Sequence, residues 1–280
     1  MNTAAKIVEL IRDTSSSLPA DVQKAIGSAL RKEVKGGSAA VVLRTILDNC
    51  ALAHQQGTPL CQDTGTLAFY VDARLRRKIT PTVIKQAVAT ATERGYLRKN
   101  CIDAVTERSY DDNCADGAPV IHYMETADER PRVTLVMKGG GSENMSRQYS
   151  LPDASLGAGR GLAGVRACIL DAVVKSQGYG CAPGILGVCI GGDRATAYEV
   201  AKQQLLRPLD EKTAGRDPVL SKLERQLLAE ANTLGIGPMG LGGRTTLLGL
   251  KIAARPRVPA SFFVTVAYMC WACRRRSLEF

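Results

Sequence analysis

The chain has 280 residues, 45% hydrophobic and 23% charged, with a formal charge of +10, nine cysteines, two histidines and one tryptophan. That length and apolar content can bury a sizeable core, which excludes a disordered tail, and nine cysteines are too few for a disulfide miniprotein. The longest nearly uninterrupted apolar stretch, residues 262–272, is about half of the roughly 20 residues a bilayer-crossing helix needs, so no membrane segment is expected.

Apolar positions at helical spacing open the chain: Ile7, Leu10 and Ile11 share one face of a first helix. A serine-rich turn with Pro19 leads to a second helix, about residues 20–31, and a third runs over 38–56 until Gly57 and Pro59 stop it. A helical N-terminal lobe over about residues 1–57 is therefore expected. A strand follows at 67–71, a helix at 81–94 and strands at 120–125 and 133–138, the last ended by the turn Gly139-Gly140-Gly141-Ser142. Beyond it the pattern predicts a helix at 162–176, an apolar strand at 185–190, helices at 196–206 and 219–234, and strands at 247–252 and 262–268. Helices and strands mix without strict βαβ alternation, and no repeat or low-complexity linker divides them. The expected fold is α/β, one unit spanning residues 1–280.

Charged Lys6, Glu9, Arg12 and Asp13 interrupt the region a signal peptide keeps apolar, so a cytoplasmic location is expected. There most cysteines remain thiols. Gly235-x-Gly237-x-x-Gly240 formally matches a dinucleotide fingerprint, but a polar helical segment stands where a strand is required. Gly243-Arg244-Thr245 lacks the lysine of a phosphate-binding loop, so nucleotide binding has little support. Nucleic-acid binding is not expected either, because aromatic residues are only 5% and no basic-aromatic stretch occurs. Two histidines cannot furnish a histidine-rich metal site, so thiolates are the plausible ligands, which favours iron-sulfur clusters, zinc or copper(I).

Three cysteines have settings unlike a buried core thiol. Cys61 lies in the polar turn Pro59-Leu60-Cys61-Gln62-Asp63-Thr64-Gly65, Cys181 in Gly180-Cys181-Ala182-Pro183-Gly184 before an apolar strand, and Cys270 at the end of another strand. Ligands at element ends far apart in sequence suit a cluster. Cys50, Cys168 and Cys189 fall on apolar helix faces or inside a strand and are expected to pack, while Cys101 and Cys114 occupy loops. Cys270-Trp271-Ala272-Cys273 is a CxxC pair, but no second such pair completes a zinc site and its place after the last predicted strand does not suit a thioredoxin-like motif.

These residues resemble the α subunit, or N-terminal region, of class I fumarases and L-tartrate dehydratases, the iron-sulfur hydro-lyases. The resemblance covers nearly the whole chain. It rests on Cys61-Gln62-Asp63-Thr64-Gly65, Leu97-Arg98-x-Asn100, Gly139-Gly140-Gly141-Ser142, Cys181-x-Pro183 leading to Gly191-Gly192, Leu206-Arg207-Pro208, Gly235-Ile236-Gly237-Pro238 and Cys270-Trp271-Ala272-x-Arg274-Arg275. It implies a 4Fe-4S cluster held by Cys61, Cys181 and Cys270, with Cys273 outside the ligand set. It also implies reversible hydration of fumarate to malate, or dehydration of tartrate to oxaloacetate. Arg98, Gln62 and Asp63 match substrate-contacting positions, and the N–H groups of Gly140 and Gly141 are candidates to hold a substrate carboxylate. Arg274 and Arg275 are expected to face solvent or an interface, as charge runs usually do.

The sequence departs from that family at Val258, where several members carry histidine, and at Ala182, where the usual segment is Cys-Pro-Pro. In one-chain members a second region supplies the catalytic base and further carboxylate-binding residues. The resemblance thus implies a β-type hydro-lyase subunit as partner, in a hetero-oligomer acting on a small dicarboxylate. The alternative to the fumarate hydratase reading is an L-tartrate dehydratase α subunit, or a cluster- or zinc-binding structural protein without catalysis.

Overall fold

Short polar side chains start the helices where the sequence places them. In the computed structural model, which describes residues 2–126, 129–211 and 216–280, α1 (Thr3–Ser16) begins at Asn2, whose side chain accepts the Ala5 N–H. Then follow α2 (Ala20–Lys32), α3 (Ser38–Gln56), β1 (Thr66–Asp72) and α4 (Pro81–Glu93), the last capped by Thr80 with proline in its first turn. Two short strands, β2 (Cys101–Ile102) and β3 (Ser109–Tyr110), pair with each other before β4 (Val120–Met124) and β5 (Arg132–Lys138). The chain continues through α5 (Gly140–Asn144), β6 (Arg147–Ser150), α6 (Leu162–Ser176), β7 (Gly184–Gly191) and α7 (Arg194–Gln204), whose first N–H groups Asp193 accepts. It ends with α8 (Pro218–Thr233), β8 (Leu247–Arg255), β9 (Phe263–Met269) and β10 (Arg274–Glu279). The α/β expectation is met. The predicted elements all form; the glycine turn at 139–142 is in part the opening of α5, and β2, β3, β6 and β10 are additional.

Two compact units emerge, one of residues 1–19, 48–140 and 272–280, the other of 20–47 and 141–271. Of the N-terminal helices, α1 belongs to the first and α2 to the second, and the division falls within α3.

The first unit is built on a sheet ordered β10-β5-β1-β4, in which only β1 and β4 run parallel. Ile7, Leu10 and Ile11 of α1 and Ile84 and Val88 of α4 bury their stripes with Phe69, Val71, Val133 and Leu135 of the sheet. At the end of β1, buried Asp72 accepts hydrogen bonds from Arg74 Nη2 at 2.6 Å and Nε at 2.9 Å, and from Thr126 Oγ1 at 2.5 Å. These bonds, Arg74's first, hold its carboxyl well below the usual carboxylate range. A lowered folded-state pKa adds stability that is complete above the unfolded pKa, about 3.9, and is lost as pH falls through the folded one. The melting-temperature gap between wild type and Asp72→Asn is therefore expected to be constant near neutrality and to narrow below about pH 4; a gap independent of pH would show that Asp72 stabilises by packing alone.

The second unit carries a sheet ordered β6-β9-β7-β8, with β7 and β8 parallel. Every residue of β7 is buried, which is why its sequence reads as a continuous apolar run instead of an alternation. Val165, Ile169 and Val173 of α6 and Leu223 and Leu227 of α8 form one core with Leu186, Val188, Leu250, Ile252 and Val266.

Candidate functional site

In the first unit, residues 60–65 form no regular element, and side chains and loops hold them instead. Leu60 N–H donates to Ser15 O at 2.8 Å, and Asn49 Nδ2 donates to Leu60 O at 3.1 Å. Arg98 Nη1 donates to Gln62 O at 3.1 Å, and Arg274 Nη2 to Asp63 O at 2.7 Å. Thr64 Oγ1 donates to Arg98 O and accepts Arg98 N–H, at 3.0 and 2.9 Å. Gly65 closes the turn with φ +72°, and a Cβ there would collide with the Lys138 carbonyl, so glycine is required. The carbonyls of Leu60, Gln62 and Asp63, which a loop would leave to water, are thus engaged, and Cys61 sits on an anchored segment.

Asp63 is fixed equally firmly. Its Oδ1 accepts Asn100 Nδ2 at 3.2 Å and its Oδ2 accepts Gly140 N–H at 2.8 Å. The Gly140 N–H that was a candidate for a substrate carboxylate therefore already serves a carboxylate of the protein. Buried Asn113 (φ +60°), which the sequence reading passed over, organises the opposite wall. Its Oδ1 accepts the N–H groups of Asn100 and Cys101, and its Nδ2 donates to Arg98 O and Thr92 Oγ1. An asparagine in a left-handed loop position is the one local signal that could have flagged it. A cavity of about 540 Å³ lies here, lined by Asp63, Thr66, Asn100, Cys101, Asn113 and Gly140 among others. Gln62, Asp63, Arg98 and Gly140 are thus brought together, with Gln62 and Arg98 exposed.

In the second unit, Cys181 and Cys270 converge. Trp271 N–H donates to Cys181 O at 3.2 Å. Gly180 and Gly184 flank the ring of Tyr268, leaving no room for a Cβ on either. Burial pushes the Tyr268 phenol well up, and Cys270 and Cys181 add to the rise. Cys181 is exposed and has φ +51°, a left-handed conformation that costs a non-glycine residue about 1 kcal/mol or more. Gly141, the remaining candidate, is exposed in α5 of this unit. Val258 is exposed in the loop after β8.

The other cysteines behave as packing residues or loop thiols. Cys50, Cys168 and Cys189 are buried, and burial pushes each thiol up to about 11. Cys114 is also pushed up to about 11 by burial with help from Asp112, and Cys273 is buried. One expectation is overturned: Arg274 and Arg275 are 1% and 8% exposed, because residues 274–279 pair with β5 as a strand. A basic run reads as a solvated face only while its strand pairing is unknown.

The chain is an α/β protein whose first unit carries a cavity walled in part by anchored Asp63, Asn100 and Asn113, and whose second unit presents the exposed thiol of Cys181. The family model described as fumarate hydratase (Fumerase) matches residues 4–279, and the chain belongs to that family. It is 46% identical over 272 residues to a Geobacillus stearothermophilus protein described as a fumarate hydratase class I, covering 95% of this chain and 52% of that one. It is 33% identical to a Methanocaldococcus jannaschii protein described as an L(+)-tartrate dehydratase subunit alpha, covering 98% of this chain and 96% of that one. The L(+)-tartrate dehydratase subunit alpha of Escherichia coli K12 is 28% identical over 98% of this chain and 90% of its own length. The chain thus spans about half of the first relative and nearly all of the other two. No helix among the described residues is long and apolar enough to cross a membrane.

Proposed function

We propose that this chain is the α-type part of an iron-sulfur hydro-lyase acting on a small dicarboxylate, with fumarate hydration to malate as its reaction. The observation that carries this reading is the 46% identity, over nearly all of the chain, to a relative described as a fumarate hydratase class I. Cys61, Cys181 and Cys270 are assigned as the ligands of a 4Fe-4S cluster. The chemistry of the donors supports this: the Cys181 thiol is exposed, Cys270 is half-buried and its neighbour Trp271 donates its N–H to Cys181 O, and Cys61 stands on an anchored polar turn.

With three protein ligands, the cluster would supply an open iron as Lewis acid toward the substrate hydroxyl. The chain's own groups do the binding. Arg98 commits Nη1 to Gln62 O and, among the described residues, leaves Nε and Nη2 for a substrate carboxylate in two parallel hydrogen bonds. Gln62 and Asp63 would receive the hydroxyl or leaving water, and Gly140 and Gly141 are assigned a part in binding the substrate. A β-type partner subunit is assigned the catalytic base, supported by the relatives named as alpha subunits and by the longer Geobacillus relative. A reducing cytoplasm suits nine cysteines carrying thiols.

L-tartrate dehydration is the second reading, favoured by the match to whole alpha subunits of that name. The test is anaerobic loading of the purified chain with iron and sulfide, followed by assay alone and with its partner on fumarate, mesaconate and tartrate. About four irons and four sulfides per chain, with activity only in the pair, is the expected result. One zinc and no iron would overturn the reading; strong activity of the chain alone would overturn the need for a partner.

A further inference from the structure

Arg274 is among the largest fully buried side chains of the protein, at 1% exposure, and its guanidinium is mostly unused. Nη2 donates to Asp63 O at 2.7 Å, while Nε and Nη1 are buried with no hydrogen-bond partner among the described residues. It makes no ion pair there either. Asp63 gives its carboxylate to Asn100 and Gly140, offering Arg274 only its carbonyl. The strand register sets this residue at one end of the sheet: Arg274 pairs with Met137, and the adjacent Lys138 pairs with Thr66, just past the turn that carries Cys61. Lys138 and Arg275 are also buried, at 5% and 8% exposure, on the paired strands β5 and β10. A buried guanidinium with idle donors is costly unless an anion or acceptor meets it.

A substrate that exchanges with solvent is a poor match for donors closed off from water; a resident anionic group is a good one. We propose that Arg274 is a positioning residue for the Cys61–Thr64 turn and that its remaining N–H groups, Nε and Nη1, serve the anionic iron-sulfur group that Cys61 ligates. The inference rests on the hydro-lyase reading above. One guanidinium then does two things: it fixes the backbone beside a ligand through Asp63, and it supplies charge-assisted donors to that ligand's cluster. Hydrogen bonds and positive charge near the sulfurs stabilise the reduced form and raise the reduction potential. A guanidinium satisfied only by buried water would fix the turn without touching the potential.

The experiment uses the full chain loaded anaerobically with iron and sulfide, as wild type, Arg274→Gln and Arg274→Lys. Iron and sulfide content, a potentiometric titration followed by electron paramagnetic resonance, and the melting temperature of each unloaded form are measured. Arg274→Gln is expected to shift the potential to more negative values and to lose iron faster on exposure to air, beyond any change in melting temperature. Arg274→Lys keeps the charge but not the planar fork, so a smaller shift in the same direction is expected, and it carries the test if Arg274→Gln fails to fold. A loaded wild type whose folded variants keep its potential and iron content overturns the role of Arg274 alone. A wild type that takes up no iron overturns the hydro-lyase reading, and Arg274's role with it.

Discussion

Cys181→Gly is expected to abolish iron-sulfur loading while leaving the stability of the chain within about 1 kcal/mol of wild type, because strain relief and backbone entropy nearly cancel. Glycine relieves the left-handed strain of a residue at φ +51°, and it adds freedom to the unfolded chain. Little packing is lost, since Cys181 is exposed. On the proposed hydro-lyase reading, the open iron lost with the cluster would forfeit several kcal/mol of transition-state stabilisation, about a thousandfold or more in rate. Cys168→Ala is the matched control: its thiol is buried within the core of the second unit, so the variant loses about 1 kcal/mol and keeps its iron. Iron analysis and chemical denaturation of both variants decide the matter. Full iron content in Cys181→Gly would remove Cys181 from the ligand set.

The second large effect lies away from the thiols. Glu224 on α8 is 6% exposed. Its Oε1 accepts Ile252 N–H at 2.7 Å, Arg216 Nη2 at 3.1 Å and Arg207 Nη1 at 3.2 Å, and its Oε2 accepts Arg216 Nη1 at 3.1 Å. Burial opposes its ionisation, but Arg216, the Ile252 N–H and Arg207 outweigh that and hold its pKa below the usual value. Buried Lys251 stands beside the group, its own pKa lowered by burial and by Arg207. Glu224→Ala leaves these cations with Glu211 as their carboxylate partner and orphans the Ile252 N–H. A loss of about 3–5 kcal/mol is expected, read from the shift of a denaturation midpoint at unchanged slope. Glu224→Gln keeps an acceptor for Ile252 and is expected to lose less. A loss below about 1 kcal/mol for Glu224→Ala would mean that the cations rearrange to water, as in exposed pairs.

Much of this architecture is local in origin and therefore readable along the chain. The stripe of Ile7, Leu10 and Ile11, the stop at Gly57 and Pro59, and the unbroken apolar run of β7 each follow from a period or a turn residue within a few positions. The same holds for the singling out of Cys61, Cys181 and Cys270, whose polar, glycine- and proline-rich surroundings contrast with the apolar faces around Cys50 and Cys168. The short strands were another matter. Residues 101–102 and 109–110 are too few to display alternation, and β6 and β10 carry charged residues that pattern alone assigns to water.

Strand order, burial of charge and loop anchoring come from segments far apart in sequence. Arg274 is buried because its strand pairs with β5, more than a hundred residues earlier, and the carbonyl it meets belongs to Asp63. Asn113 matters because the fold returns it to the backbone of residues 98–101, and Gly140 N–H is occupied because Asp63 is carried to it. Residue type and spacing can tell which side chains are chemically able to act. Which donors are already spent, and which remain idle in the interior, depends on long-range pairing, because a hydrogen bond is made between neighbours in space.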